Sequence, residues 1–284
     1  MMLRNDVIDV IDRALAEDVR DGDVTTLWTI PASKQKSAQF IARADGVVAG
    51  LEVARWVFEQ VEPSIVFEAG IKDGEAIAPG DVIAQVAGSA GALLTAERVA
   101  LNFLQRMSGI ATMTSQFVKA IEGTKSRILD TRKTAPGLRV LDKYAVVAGG
   151  GMNHRIGLFD MVLIKENHIE AADGIFPAVK AVRRGMAQAG RTVKVEVEVE
   201  NLKELEEALL AEVDQIMLDN MGLPEMRQAV ERVLNFAGHK PSLEASGDVS
   251  MARVRAIAET GVDYISVGAL THSVKAMNIS MLFR

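Results

Sequence analysis

From residue 126 onward the chain repeats one pattern: a short apolar run that closes on a polar residue or glycine, followed by helical sequence. The runs are "SRILD" (126–130), "MVLIKEN" (161–167), "VKVEVEVE" (193–200), "QIMLDN" (215–220), "SLEASG" (242–247) and "DYISVGA" (263–269). Stretches of helical period separate them at 174–189, 202–211 and 250–260. Short buried strands alternating with helices specify βαβ units and a parallel sheet. Six or seven such units without a glycine-rich dinucleotide fingerprint favour a closed or nearly closed α/β barrel over an open sheet.

The first third has a different rhythm. Val7, Ile8, Ile11, Leu15 and Val19 share one face of a helix over 5–19. Strand-like pieces at 38–50 and 65–88 flank a helix at 51–62, and the second piece contains turns at Asp73-Gly74 and Pro79-Gly80. The spacing of Leu101, Leu104, Met107 and Ile110 predicts a long helix from Thr95 to about Ile121, or two helices broken at Gly109. This is an α+β domain.

Composition excludes several function classes. A net charge of −6 and a pI near 5.4 argue against a general nucleic-acid binder. The chain contains no cysteine, so disulfides, thiolate metal sites and a cysteine nucleophile are all absent. The N-terminus mixes charge with apolar residues and does not read as a signal peptide. No apolar stretch approaches the roughly 20 residues that cross a bilayer. A soluble, cytoplasmic protein is expected.

The chemistry collects at the segment ends. Asp130, Lys165, Glu198, Asp219, Ser246 and Gly268 all sit at or near the C-terminal end of their strands, the rim where α/β barrels build active sites. Arg132, Lys133, His154, Arg155 and Lys165 make one part of that rim cationic. Arginine offers a planar fork to carboxylate or phosphate, and lysine a movable point charge. Glu198 and Asp219 face them as acceptors for hydroxyl groups or as ligands for a Mg²⁺ carried by pyrophosphate. The final loops, "SGD" (246–248) and "GALTH" (268–272), expose backbone N–H groups suited to phosphate. A multiply anionic small molecule and a phosphorylated sugar are the ligands this pattern implies.

Blander readings stand beside this one. Arg132 and Lys133 would equally well pair with Asp130 or Asp142, and His154 with Arg155 would suit an ordinary loop. The triplet Gly149–Gly151 would serve as a flexible turn. Lys165 differs, because the buried run "MVLI" delivers it and a purely structural lysine there needs a buried partner. Glu196, Glu198 and Glu200 alternate with valines and so line one side of their strand at successive heights. At least one of them needs a cation.

These stretches resemble one family. "DTRKTAPGLRVLDKYAVVAGGGMNHRIGLFDMVLIKENHI" is similar to the central signature of the quinolinate phosphoribosyltransferases, and "LLTAERVALNFLQRMSGIAT", "VEVEVENL", "IMLDN", "LEASG" and "TGVDYISVGALTHS" extend the match over nearly the whole chain. The resemblance implies an α/β fold: an N-terminal α+β sandwich domain at 1–112, with 271–284 packing back on it, and an open (β/α) barrel of six to seven strands at 113–270. It implies a cytoplasmic homodimer whose Arg98 reaches the neighbouring site. Arg132, His154, Arg155 and Lys165 would surround quinolinate, with Lys133 between the two substrates. Glu198 and Asp219 would engage the ribose and Mg²⁺ of phosphoribosyl pyrophosphate. Ser246, Gly247, Gly268 and His272 would hold its 5-phosphate. Lys133, Lys165, Glu198 and Asp219 are then the catalytic set of a pentosyltransferase of NAD biosynthesis. Asp248 is an acid beside the expected phosphate loop, and Glu166 follows Lys165.

Two rivals use other features. A Schiff-base aldolase would use Lys165 at its strand end. A lipoyl-like carrier would use "GEAIAPGDVIAQVAG", where the nearby lysine, Lys72, precedes the Asp73-Gly74 turn.

Overall fold

The computed structural model describes residues 4–284. The chain divides into two compact units. One comprises the chain up to Gln116 with Thr134–Gly151 and Leu270–Arg284; the other comprises Phe117–Lys133 and Met152–Ala269. Among the described residues no helix is long and apolar enough to cross a membrane.

In the first unit, α1 (Asn5–Val19) and α2 (Val24–Thr29) lead into β1 (Gln35–Ala42), β2 (Gly46–Val47), α3 (Leu51–Val61), β3 (Val66–Ala69), β4 (Ala76–Ile77), β5 (Val82–Ser89) and α4 (Ala90–Ala120). The chain's final strand, β12 (Ile279–Phe283), pairs antiparallel with β1 and gives the sheet order β12-β1-β5-β3. Phe40 of β1 packs edge-on against Phe58 of α3 at 5.9 Å between ring centroids, and Phe67 of β3 closes the cluster. The N-terminus of α3 lacks a capping side chain of its own. Asp73, just after β3, accepts from the N–H groups of Gly50 and Leu51 at 3.0 and 3.1 Å instead.

Helix α4 is continuous through Gly109. A Cβ at that position would overlap the carbonyl oxygen of Lys275, so the glycine serves a close approach by the C-terminal segment and not a break. The expected start of the barrel at 113 falls within α4, and α5 (Arg139–Ala148) and the glycines after it cluster with the first unit. Burial explains this. Leu141, Ala145 and Val146 are buried, and fully buried Asp142 accepts from Arg106 Nε and Nη2 on α4 at 2.9 and 2.8 Å. Asp142 is therefore the partner of Arg106. A Cβ on Gly149 would overlap the carbonyl oxygen of Ala111, and one on Gly151 would meet Thr114 Cγ2 at 2.8 Å. Two of the three glycines are close-packing residues against α4, and the third, Gly150, takes φ +86°. A flexible turn is not what this triplet makes.

The second unit begins with β6 (Arg127–Leu129) and continues through β7 (Val162–Ile164), α6 (Glu166–Ala171), α7 (Ile175–Ala189), β8 (Val195–Val199), α8 (Leu202–Leu210), β9 (Gln215–Asp219), α9 (Leu223–Asn235), β10 (Ser242–Ser246), α10 (Val254–Ala258) and β11 (Tyr264–Ser266); α11 (Ala269–His272) follows. The six strands are parallel in the order β6-β11-β10-β9-β8-β7. The two ends of this order are consecutive in sequence, which makes the sheet a barrel left open between β6 and β7. At the seam Met152 bridges Leu129, donating to Ile128 O at 2.9 Å and accepting from Asp130 N at 3.1 Å. One residue pair marks the place of a seventh strand.

Val197, Ile216, Leu218, Ala245 and Ile265 are fully buried, as strands covered on both faces require. The loops after β7, β8, β9 and β11 are short. Asn201 accepts from the N–H groups of Lys203 and Glu204 at 3.1 and 3.0 Å and starts α8 three residues beyond Glu198.

Two outcomes follow for stability. Phe58→Ala should cost about 3–5 kcal/mol in urea denaturation, because a ring at the centre of a three-ring cluster leaves a cavity. Gly149→Ala should cost about 1–3 kcal/mol through overpacking against α4, and an unchanged midpoint would contradict the close approach.

Candidate active site

A cavity of about 470 Å³ opens at the C-terminal tips of the second unit's strands. Arg132, Lys133, His154, Arg155, Lys165, Glu198, Asp219, Ser246 and Gly247 all line it. Three expected site residues do not. Gly268 lies two residues beyond β11 and outside the lining, while Arg98 on α4 and His272 belong to the first unit. His272 Nδ1 lies 2.7 Å from Ser273 Oγ.

Each wall is set by what terminates its strand. After β6, Thr131 Oγ1 accepts from Lys133 N at 3.0 Å and turns the cationic loop. Lys165 directly follows β7, and its N–H donates to His168 Nδ1 at 3.0 Å, so α6 begins immediately behind it. Its Nζ pairs with Glu198 Oε2 across the neighbouring strand tip. The lysine side chain is 46% exposed, so the partner expected for a buried lysine exists although the ammonium itself reaches the cavity.

The opposite wall holds Asp219, whose Oδ2 accepts from Asn220 Nδ2 at 2.8 Å. Asn220 takes φ +54°, an uncommon conformation that asparagine tolerates better than most residues. Its side-chain oxygen occupies the space a Cβ of Gly247 would fill, and Gly247 itself has φ +94°. Only glycine fits there. Asp248, also with positive φ, is exposed at the cavity wall next to this loop.

The cavity floor was less legible. Glu196 and Glu244 are both fully buried, and His154 Nε2 lies 3.0 Å from Glu196 Oε2 and 3.3 Å from Glu244 Oε2. Gln215 Nε2 donates to Glu196 Oε1 at 2.9 Å and to Glu244 Oε2 at 2.7 Å. The parallel register explains the meeting: Gln215 is opposite Glu196 on β8 and one diagonal step from Glu244 on β10. Burial and the neighbouring Glu244 push the Glu196 carboxyl up to about 7, against the pull of His154. Burial opposes a charge on His154 while its contacts with Glu196 and Glu244 favour one. Because Nδ1 accepts the backbone N–H of Arg155, the ring stands here as the neutral tautomer with its proton on Nε2, facing the two acids. These three are the one group with metal-ligand spacing among the described residues, yet their atoms are engaged with one another and with Gln215.

The two glutamates of β8 and the one just beyond it thus stand at floor, rim and exterior: Glu196 buried, Glu198 at the cavity, Glu200 exposed and raised in pKa chiefly by the charge of Glu166. Gln215, Glu244 and Asn220 escaped the sequence reading. Their signal was present, since a glutamine and a glutamate inside apolar strands, and an asparagine at a strand tip, all stand out from their neighbours.

Electrostatically the cavity suits an anion. Burial lowers the pKa of Arg155, and the adjacent Arg132 lowers it further. Crowded cations of this kind are stabilised by a bound carboxylate or phosphate. Carboxylates, an amide and a small-residue loop on the other wall suit hydroxyl groups and a phosphate.

Comparison with known proteins agrees with this chemistry. The family model "Quinolinate phosphoribosyl transferase, C-terminal domain" matches residues 110–282, and the corresponding N-terminal domain model matches 23–108. The chain is 49% identical to the chloroplastic nicotinate-nucleotide pyrophosphorylase [carboxylating] of Oryza sativa, over 96% of this chain and 76% of that protein. It is 45% identical to quinolinate phosphoribosyltransferase [decarboxylating] 1b of Nicotiana tabacum, over 97% and 82% respectively. The nicotinate-nucleotide pyrophosphorylase structure from Francisella tularensis superposes with a TM-score of 0.94 at 39% identity, covering 100% of this chain and 98% of that one. With both domain models matched in order along a chain whose strand tips build a cavity for anions, the protein belongs to the quinolinate phosphoribosyl transferase family.

Proposed function

We propose that this enzyme transfers the phosphoribosyl group of phosphoribosyl pyrophosphate to quinolinate, with loss of CO₂, to give nicotinate mononucleotide and pyrophosphate. One observation carries the reading: a single cavity holds Arg132, Lys133, Arg155 and Lys165 on one side and Glu198, Asp219, Ser246 and Gly247 on the other. The first group matches a pyridine dicarboxylate, the second a ribose with its 5-phosphate.

The pyridine nitrogen forms a bond to the anomeric carbon as the bond from that carbon to pyrophosphate breaks. The resulting pyridinium then withdraws the electron pair of the C2–carboxylate bond, CO₂ leaves, and a solvent proton replaces it. Arg132, Arg155 and Lys165 hold the carboxylates and so orient the nitrogen. Lys133 stands between the reactants and faces the charge that develops on the leaving group. Glu198 and Asp219 accept the ribose hydroxyls and counter the positive charge that grows on the sugar. Holding both reactants in one geometry and matching these charges are the protein's main contributions. No covalent intermediate on the protein is needed, which sets this reading apart from a Schiff-base aldolase.

Mg²⁺ fits the donor set as a partner of pyrophosphate. Glu198 and Asp219 are hard oxygen donors on adjacent strand tips, and they supply two ligands at most, leaving the remainder to phosphate oxygens and water. Bound there, the ion would neutralise the departing pyrophosphate. In a homodimer, Arg98 of one protomer would complete the neighbouring pocket with a further cation.

Purified protein supplied with quinolinate, phosphoribosyl pyrophosphate and Mg²⁺ should yield nicotinate mononucleotide and CO₂ in equal amounts. Nicotinate in place of quinolinate should give little turnover, because cations meant for the second carboxylate go unmatched; brisk use of nicotinate would refute the substrate assignment. Lys165→Ala should lower kcat/KM by about 10² or more. Mixed dimers of Arg98→Ala and Lys165→Ala protomers, each inactive alone, should recover part of the activity. A verified mixed dimer with no recovery would rule out a shared site.

A further inference from the structure

Two buried acids beneath an anion pocket need a physical reason, because their charge opposes the ligand the pocket is shaped for. Glu244 is fully buried, lines the cavity, and has one carboxylate oxygen, Oε1, without a hydrogen-bond partner. Its other oxygen meets both His154 Nε2 and Gln215 Nε2. The opposite ring nitrogen, His154 Nδ1, accepts from the backbone N–H of Arg155 at 2.7 Å. His154 N in turn donates to fully buried Asp130 Oδ1 at 2.8 Å. The His154–Arg155 backbone is therefore gripped through two N–H groups, one bonded to Asp130 and the other to a ring anchored from below. At its far end the Arg155 guanidinium donates to Met161 O at 3.3 Å. Both ring nitrogens of His154 face protein atoms, so its hydrogen bonds are spent on holding the loop.

We propose that Glu244 and Gln215 are positioning residues, which act through the His154 ring to fix the backbone that carries the Arg155 guanidinium. They touch no reacting atom. A ring released from the floor would rotate, the Arg155 N–H would lose its acceptor, and the guanidinium would sample orientations that do not meet a carboxylate. Loss of a supporting hydrogen bond typically shows up as a misplaced binding group and not as a lost one. Glu244→Gln keeps an oxygen able to accept from the ring, whereas Glu244→Leu keeps only bulk.

The kinetic part of the test rests on the substrate reading above, and the exchange part does not. Amide hydrogen exchange at Arg155, resolved by NMR in the full chain, should quicken in Glu244→Leu and return toward the wild-type rate in Glu244→Gln. KM for quinolinate should rise about tenfold or more in Glu244→Leu, with KM for phosphoribosyl pyrophosphate little changed, as expected when one binding group is mispositioned. Gln215→Met, which removes the donors but keeps the length, should move both readouts in the same direction and serves if Glu244→Leu does not fold. Wild-type exchange at Arg155 in a folded variant would overturn the proposal. So would equal rises in both KM values with a lowered melting temperature, which mark a merely structural role. If the wild type uses no quinolinate, the substrate reading falls, and the exchange arm still decides this one.

Discussion

The parallel hydrogen-bonded register across β8, β9 and β10 is the constraint on which the site depends. It sets Glu196 opposite Gln215 and brings Glu244 within one diagonal step, so that one glutamine side chain donates to two acids. A slip of one residue would turn each of these side chains to the other face of the sheet, into the apolar layer beneath the helices. The same register puts Glu198 and Asp219 at the tips of their strands. Floor and rim are two levels of one ladder.

Charge organises what the ladder holds. The cavity gathers four arginines and lysines in a molecule of net charge −6, and the floor beneath carries two buried carboxylates that bond to His154. Such a floor is stable only with its lone pairs and N–H groups accounted for, since each unsatisfied buried polar group is costly. Gln215 donates to both acids, and His154 Nε2 lies within 3.3 Å of both. The rim is looser: Lys165 is half exposed and pairs with Glu198, an arrangement that a bound substrate can replace without leaving a buried charge alone.

The glycines illustrate how one residue type serves several ends. Gly109, Gly149 and Gly151 leave room for backbone or side-chain atoms from elsewhere in the first unit, and Gly247 leaves room for the side chain of Asn220 beside the cavity. All four are positions where a single methyl group would need the neighbour to move.

Much of this protein is legible in its sequence. The βαβ rhythm announced the six parallel strands with bounds within two or three residues, because apolar runs of that length between helical stretches have few other ways to be buried. The polar strand ends announced the rim, since parallel α/β folds place their sites there. Tertiary structure alone decided the rest. It joined Glu196, Gln215, Glu244 and His154 into one floor, a matter of inter-strand register that no local pattern encodes. It paired Asp142 with Arg106 and moved α5 out of the barrel, because a contact between residues far apart in sequence outweighs chain order. It also separated Gly268 from the cavity wall that adjacency to a strand end had suggested. Local periodicity determines which elements form; packing over long range determines which side chains meet.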